Sequence, residues 1–225
     1  MIFVIEYFFM KDQKINSTNP SGQKLNELLK YYQSKRYLDA EKLALSITKD
    51  FPKHIVAWKV LGIILKNTGR INEALLVNQK SLELEPTNIE ANFNLGNTLQ
   101  QLERFEEAVL CYRKAISIKP DYTEAYNNLG ATLQKIGKFE EAESCYRKAI
   151  SIKSDYTEAY NNLGLTLGVI GRFDEAMSTF IKIIENNPNL QSYLSLVELL
   201  TIFDPQKKVS HPILKVAQEI KEINL

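Results

Sequence analysis

Apolar residues recur along this chain in two stripes that repeat every 34 residues. In each period the first stripe occupies positions 4, 7, 8 and 11, which is the i, i+3, i+4, i+7 spacing of a helix that buries one face. The second stripe begins at position 17 and has helical spacing as well. The pattern therefore predicts a pair of antiparallel amphipathic helices in each period.

Two near-identical stretches mark the period. CYRKAISIKPDYTEAYNNLG begins at Cys111, and CYRKAISIKSDYTEAYNNLG begins 34 residues later at Cys145; they differ only at Pro120 and Ser154. A residue series at this spacing defines position 32: Pro52, Pro86, Pro120, Ser154 and Pro188. This numbering gives four units and a more divergent copy before them: 55–88, 89–122, 123–156 and 157–190, preceded by 21–54.

Small residues and turn residues recur at fixed positions of the units. Position 8 is always glycine and position 20 always alanine, which predicts a close approach of the two helices: Gly62, Gly96, Gly130 and Gly164; Ala74, Ala108, Ala142 and Ala176. Glycine also ends the first helix of three units, where a left-handed residue is favoured: Gly69, Gly137 and Gly171. Glu103 replaces this glycine in one unit and predicts a more strained turn.

The starts of the first helices carry acidic residues that fit a capping box, in which a Glu side chain bonds back to the cap residue. The three predicted boxes run from Thr87 to Glu90, from Asp121 to Glu124 and from Asp155 to Glu158. The boxes would account for these glutamates, which are therefore not predicted to contact a ligand.

These features resemble the tetratricopeptide repeat family over about 170 of the 225 residues. The sequence pattern NNLG…L…G(R/K)F(D/E)EA…YRKAI is also similar to that of the repeat arrays that precede catalytic domains in O-linked N-acetylglucosamine transferases and some bacterial multidomain enzymes. The resemblance implies an all-α, right-handed α-solenoid of antiparallel helix hairpins. It also implies that one face of the first helices lines a concave groove for a protein or an extended peptide.

Helical geometry places positions 2, 6, 9 and 13 on that face, flanked by positions 5 and 12. Position 6 carries Asn94, Asn128 and Asn162, whose amides can pair with the backbone of a peptide. The predicted peptide-binding residues are Asn94, Asn97, Gln101, Asn127, Asn128, Lys135, Asn161 and Asn162. The alternative is that near-consensus repeats carry these asparagines on a solvated face without a ligand.

The ends of the chain depart from the repeat. Residues 1–20 read as an apolar leader, MIFVIEYFFM, and a polar linker. The leader is shorter than the roughly 20 residues that span a bilayer and is expected to cover apolar surface of the early repeats. Residues 191–204 predict a capping helix, and residues 205–225 a linker with a short C-terminal helix.

Composition and motifs limit the function. With 28 basic and 27 acidic residues the net charge is +1, which argues against a nucleic-acid partner. Cys111 and Cys145 share one repeat position and predict a duplicated thiol that is buried or half-buried. We find no metal-binding, cofactor or catalytic pattern, so a cytoplasmic binding scaffold without cofactor or enzyme activity is expected. The alternative is the recognition arm of a larger enzyme, of glycosyltransferase or sulfotransferase type, whose catalytic domain is absent from this chain. The oligomeric state stays open.

Overall fold

The computed structural model describes residues 19–186, which form ten α-helices and contain no strand. The helices are α1 Gly22–Gln33, α2 Tyr37–Asp50, α3 Ile55–Asn67, α4 Ile71–Leu84, α5 Ile89–Gln101, α6 Phe105–Ile118, α7 Thr123–Lys135, α8 Phe139–Ile152, α9 Thr157–Val169 and α10 Phe173–Asn186. Successive pairs form helix hairpins, so the predicted all-α fold is confirmed. The leader at 1–18, the capping helix at 191–204 and the tail at 205–225 lie outside the described residues.

The chain divides into two compact units, Met1–Ile118 and Lys119–Leu225. The first unit holds α1 to α6, and the second holds α7 to α10 among the described residues. In the hairpins from α3 onward a helix packs most extensively against its hairpin partner, as α5 does on α6 and α7 on α8. Helix α2 is different, since it packs more extensively against α3 than against α1.

Helix α3 lies in the centre of the first unit's core. Val56 and Val60, at repeat positions 2 and 6 of this helix, are 8% and 4% exposed. Helix α2, from the divergent first copy, contributes Ala40, Ala44 and Ile47 to the same apolar cluster. Neighbouring helices cover most of the circumference of α3. This is the environment expected for a helix that is apolar nearly all round.

The position-8 glycines meet large side chains at position 24 of the second helix. A Cβ atom added to Gly130 would lie 2.7 Å from Cε1 of Tyr146, and one added to Gly164 would lie 2.6 Å from Cζ of Phe180. Gly96 meets Tyr112 in the same way, at 2.8 Å. All three aromatic side chains are completely buried. The predicted close approach of the hairpin helices is therefore confirmed.

The turns inside the hairpins need a left-handed residue. Gly69, Gly137 and Gly171 have φ angles of 79°, 75° and 82°. Glu103 adopts a φ of 57° in the equivalent turn, a region that a side chain with a Cβ disfavours. Glu103 thus adopts the left-handed backbone on which the expected strain depends, and the strain itself stays a prediction.

The predicted capping boxes are wrong by one residue. The N-cap of α5 is Asn88, whose Oδ1 accepts a hydrogen bond from the Ala91 amide at 3.0 Å. Tyr122 and Tyr156 occupy the N-cap positions of α7 and α9 and make no side-chain cap bond. The first-turn glutamates consequently stand at the second helical position instead of the third, from which they reach other partners.

We predict that Gly130→Ala lowers the free energy of unfolding by about 1–3 kcal/mol, because its methyl group overpacks the contact with Tyr146. Gly22→Ala is the control, since a Cβ at Gly22 would have no atom within 4 Å. Urea unfolding followed by circular dichroism measures both. Equal stability of the two variants would contradict the close contact.

We expect Glu103→Gly to raise the free energy of unfolding by about 0.5–1 kcal/mol, because glycine relieves the left-handed backbone at a smaller entropic cost. The converse change Gly137→Glu should lower it by a similar amount. Thermal unfolding of the two variants tests the pair, and a destabilised Glu103→Gly variant would refute the strain.

Candidate functional site

The candidate site is the face of the first helices formed by repeat positions 2, 5, 6, 9, 12 and 13, hereafter the first-helix face. Helices α3 and α5 present it in the first unit, and α7 and α9 present it in the second. The predicted residues differ in exposure: Gln101 and Lys135 are exposed; Asn94, Asn97, Asn128, Asn161 and Asn162 are half-buried; Asn127 is buried.

In the first unit, Asn94 and Asn97 differ in what holds their side chains. The hydroxyl of Tyr112 donates to Asn97 Oδ1 at 2.8 Å, which fixes this amide against α6. The side-chain amide of Asn94 makes no hydrogen bond to any described residue. The side-chain bonds to Asn94 end on its backbone carbonyl, which accepts from Thr98 Oγ1 at 3.0 Å and from Asn78 Nδ2 at 3.4 Å. Within residues 19–186, the Asn94 amide therefore keeps its bonding capacity for a ligand.

An ion pair joins the first helices of this unit. Lys59 Nζ at position 5 of α3 lies 3.8 Å from Glu90 Oε2 at position 2 of α5. Their side chains are only 9% and 19% exposed. The pair links successive repeats, and it gives Glu90 a role that the capping box did not predict.

In the second unit, positions 5 and 2 of successive first helices are joined by a hydrogen bond between an amide and a carboxylate. Asn127 Nδ2 at position 5 of α7 donates to Glu158 Oε1 at position 2 of α9, at 2.9 Å. Asn162 Nδ2 donates in turn to Asn127 Oδ1 at 3.0 Å. Asn127 is 1% exposed, so it lies inside the junction between repeats. In the structure Asn127 bonds to Glu158 and Asn162. Its direct contact with a ligand stays a prediction.

A second amide, Gln134, supports the same junction. Its Oε1 accepts from the Tyr146 hydroxyl at 3.1 Å and lies 3.4 Å from Thr166 Oγ1, which donates its proton to the Asn162 carbonyl at 2.8 Å. Gln134 thus connects α7 with both α8 and α9. Sequence reasoning missed Gln134 and Glu158. Polar residues at both position 5 and position 2 of consecutive units, as in Lys59 with Glu90, were the available signal.

The first-helix face of α9 is partly apolar. Leu165 at position 9 is 37% exposed and Val169 at position 13 is 56% exposed. They lie one turn apart and follow Asn162 along the same stripe of the helix. The sequence assigned these positions to the face, but the apolar residues there were not counted among the candidates.

Other chemistry is limited within residues 19–186. Burial raises the pKa of the Cys111 thiol to about 11, which disfavours the nucleophilic thiolate. Cys111 and Cys145 are half-buried, as predicted, and form no disulfide. No group of three or more His, Cys, Asp or Glu side chains in this range could hold a metal ion. None of the helices in this range has the length and apolar character needed to cross a membrane.

Comparison with known proteins decides the family. Models described as tetratricopeptide repeat match residues 78–109, 123–156 and 157–190, and one described as TPR repeat matches 99–137. The chain belongs to the tetratricopeptide repeat (TPR) family. No curated protein sequence matches the chain.

Solved TPR structures share this fold. The chain is similar to MamA, with 27% identity and a TM-score of 0.66 over 70% of this chain and 92% of MamA. It is similar to YrrB, a TPR protein with an unusual peptide-binding site, with 21% identity and a TM-score of 0.66 over 80% and 92% of the two chains. TTC0263, a thermophilic TPR protein in Thermus thermophilus, has 21% identity and a TM-score of 0.64 over 80% and 98%. At 21% identity, the last two likenesses show the fold alone.

We predict that Glu158→Ala lowers the free energy of unfolding by about 1–3 kcal/mol, because it leaves the buried Asn127 amide without its acceptor. Glu124→Ala is the matched control: it removes the same side chain at the same repeat position, where the preceding repeat carries Phe93 at position 5 and offers no amide. Glu158→Gln keeps an acceptor oxygen and should recover most of the loss. Urea unfolding compares the three variants, and equal losses at Glu124 and Glu158 would show that the contact contributes nothing.

Proposed function

We propose that the chain is a protein- or peptide-binding scaffold and that the first-helix face is its binding surface. The observation that carries this proposal is the recurrence of partly accessible amides at position 6 of successive first helices, in Asn94, Asn128 and Asn162. Each amide offers one acceptor and two donors. Such groups can pair with the backbone of an extended peptide whatever its side chains are.

Family membership supports the proposal. TPR arrays are scaffolds in which each repeat contacts its neighbours, and this construction offers extended surfaces for binding. The peptide-binding site named for YrrB shows that a protein of this fold can take a peptide. We transfer only that class of ligand, because the two chains share the fold and little sequence.

The remaining functional expectations belong to the same proposal. The chain itself is proposed to have no catalytic activity, which fits a family of scaffolds. The near-zero net charge supports a protein partner over nucleic acid, and the two thiols that are not in a disulfide fit a reducing compartment such as the cytoplasm. None of the comparisons favours the alternative, a recognition arm of a glycosyltransferase or sulfotransferase.

The test begins with selection of peptides from a displayed library of random dodecamers on the full chain. Fluorescence anisotropy then measures the affinity of a selected peptide for single variants. Asn94→Ala should weaken a peptide held by the first unit, and Asn128→Ala a peptide held by the second, each by about two- to tenfold, the value of one hydrogen bond. Asn162 is left intact, because its bond to Asn127 at 3.0 Å is shorter than the 3.5 Å contact between Asn127 Nδ2 and Asn128 Oδ1, so its removal would add the larger loss of stability to any loss of binding.

Asn72→Ala is the matched control, since Asn72 is an exposed asparagine on the second helix α4. It should bind the selected peptide as the unaltered chain does. Circular dichroism of each variant checks its fold. A library that yields no peptide, or peptides that bind all variants equally, would overturn the proposal.

A further inference from the structure

We infer that the second unit selects extended peptides in which a branched aliphatic side chain and a lysine or arginine occupy neighbouring positions. The inference rests on the proposed function and specifies its ligand. It follows from three rows of side chains that cross the first-helix face of α7 and α9.

The middle row consists of amides. Asn128 and Asn162 occupy position 6 of the two helices and are half-buried. The bond from Asn162 Nδ2 to Asn127 Oδ1 holds the Asn162 amide in place at 3.0 Å. It leaves the Asn162 side-chain carbonyl oxygen as an acceptor for a backbone N–H. An extended backbone over this row would therefore run from one helix to the next.

The row on one side is acidic. Glu124 and Glu158 stand one turn before the amides and are both exposed. Glu158 uses Oε1 for Asn127, while Oε2 lies 3.4 Å from the Tyr156 hydroxyl, which donates to it. Lys135, a cation of this face, stands at the opposite end of α7, about 16 Å along the helix from Glu124. The two carboxylates thus attract a positively charged side chain to this side of the amide row.

The row on the other side of the amides consists of aliphatic side chains. Ala131 on α7 and Leu165 on α9 share position 9, and Val169 follows one turn later. Leu165 and Val169 are 37% and 56% exposed, although the neighbouring Leu163 and Leu167 are buried in the core at 3% and 0%. The described part of the fold therefore leaves Leu165 and Val169 partly uncovered, and an aliphatic ligand side chain can cover them.

The geometry of an extended chain connects the two outer rows. Successive side chains of such a chain point to opposite sides. A backbone on the amide row therefore directs one residue toward the carboxylates and the next toward Leu165. This alternation is why the basic and the aliphatic residue are neighbours in the selected sequence.

The experiment uses the peptides selected on the full chain and a positional scan of one of them by fluorescence anisotropy. We expect lysine or arginine next to leucine, isoleucine or valine, and an affinity about tenfold lower when serine replaces the aliphatic residue. The double variant Leu165→Ser/Val169→Ser should lose this aliphatic preference and keep the basic one. The double variant Glu124→Gln/Glu158→Gln should lose the basic preference and keep the aliphatic one.

Leu110→Ser is the matched control, because Leu110 is 67% exposed on the second helix α6 and should change neither preference. Peptides that bind without either preference, or with acidic residues in place of basic ones, would overturn this inference and leave the proposed function standing. Failure to select any peptide would remove both. A dimer of the chain that Leu165→Ser dissociates, measured by light scattering, would also overturn it, because a second copy would then cover the apolar row.

Discussion

The contact between a position-8 glycine and a position-24 aromatic ring sets the geometry of the hairpins. With no Cβ at Gly96, Gly130 or Gly164, the buried ring rests against the backbone of the first helix. This contact fixes how closely the helices approach and which side of the first helix is left outside the hairpin. The first-helix face exists because the opposite side of each first helix is occupied in this way. At Gly62 the facing residue is Asn78, whose Nδ2 donates to Thr98 Oγ1 at 2.9 Å and so connects this hairpin to the next first helix.

Stacking of one hairpin on the next depends on polar links of two kinds. Arginine–glutamate pairs with an exposed arginine, such as Arg172 with Glu143 at 2.7 Å, join the second helices and contribute little in water. The links on the first-helix face are more shielded from solvent. Removing one partner from the bond between Asn127 and Glu158 leaves a buried polar group unsatisfied, which costs more than an exposed pair provides. These inner links therefore hold the register of the repeats at the surface that we propose for binding.

The sequence predicted the elements that depend on local spacing. Helical periodicity gave the hairpins, and the recurring glycines gave the close contact and the left-handed turns, including the one at Glu103. The helix starts were one residue off, since Asn88 competes with Thr87 for the cap and only the folded backbone decides between them. The sequence placed position 5 at the edge of an exposed face, because the periodicity of one helix shows nothing about the helices beside it. In the structure the neighbouring helix buries Asn127. This burial depends on how two successive repeats are aligned, which cannot be read from the periodicity of a single helix.

The repeats also separate the residues that specify the fold from those that specify a ligand. Positions 8 and 20 are invariant among the four units, because the two helices of each hairpin pack closely and leave room only for small residues there. Positions 9 and 13 face outward and vary, from Asn97 and Gln101 in one unit to Leu165 and Val169 in another. Variation at these positions keeps the contact between glycine and ring, although at position 9 it removes a bond such as that between Asn97 and Tyr112. Each repeat can therefore alter its binding chemistry without losing the packing of its hairpin. Near-identical stretches such as the two that begin at Cys111 and Cys145 thus share a fold, while the residues that follow them on the first-helix face give each repeat a different surface.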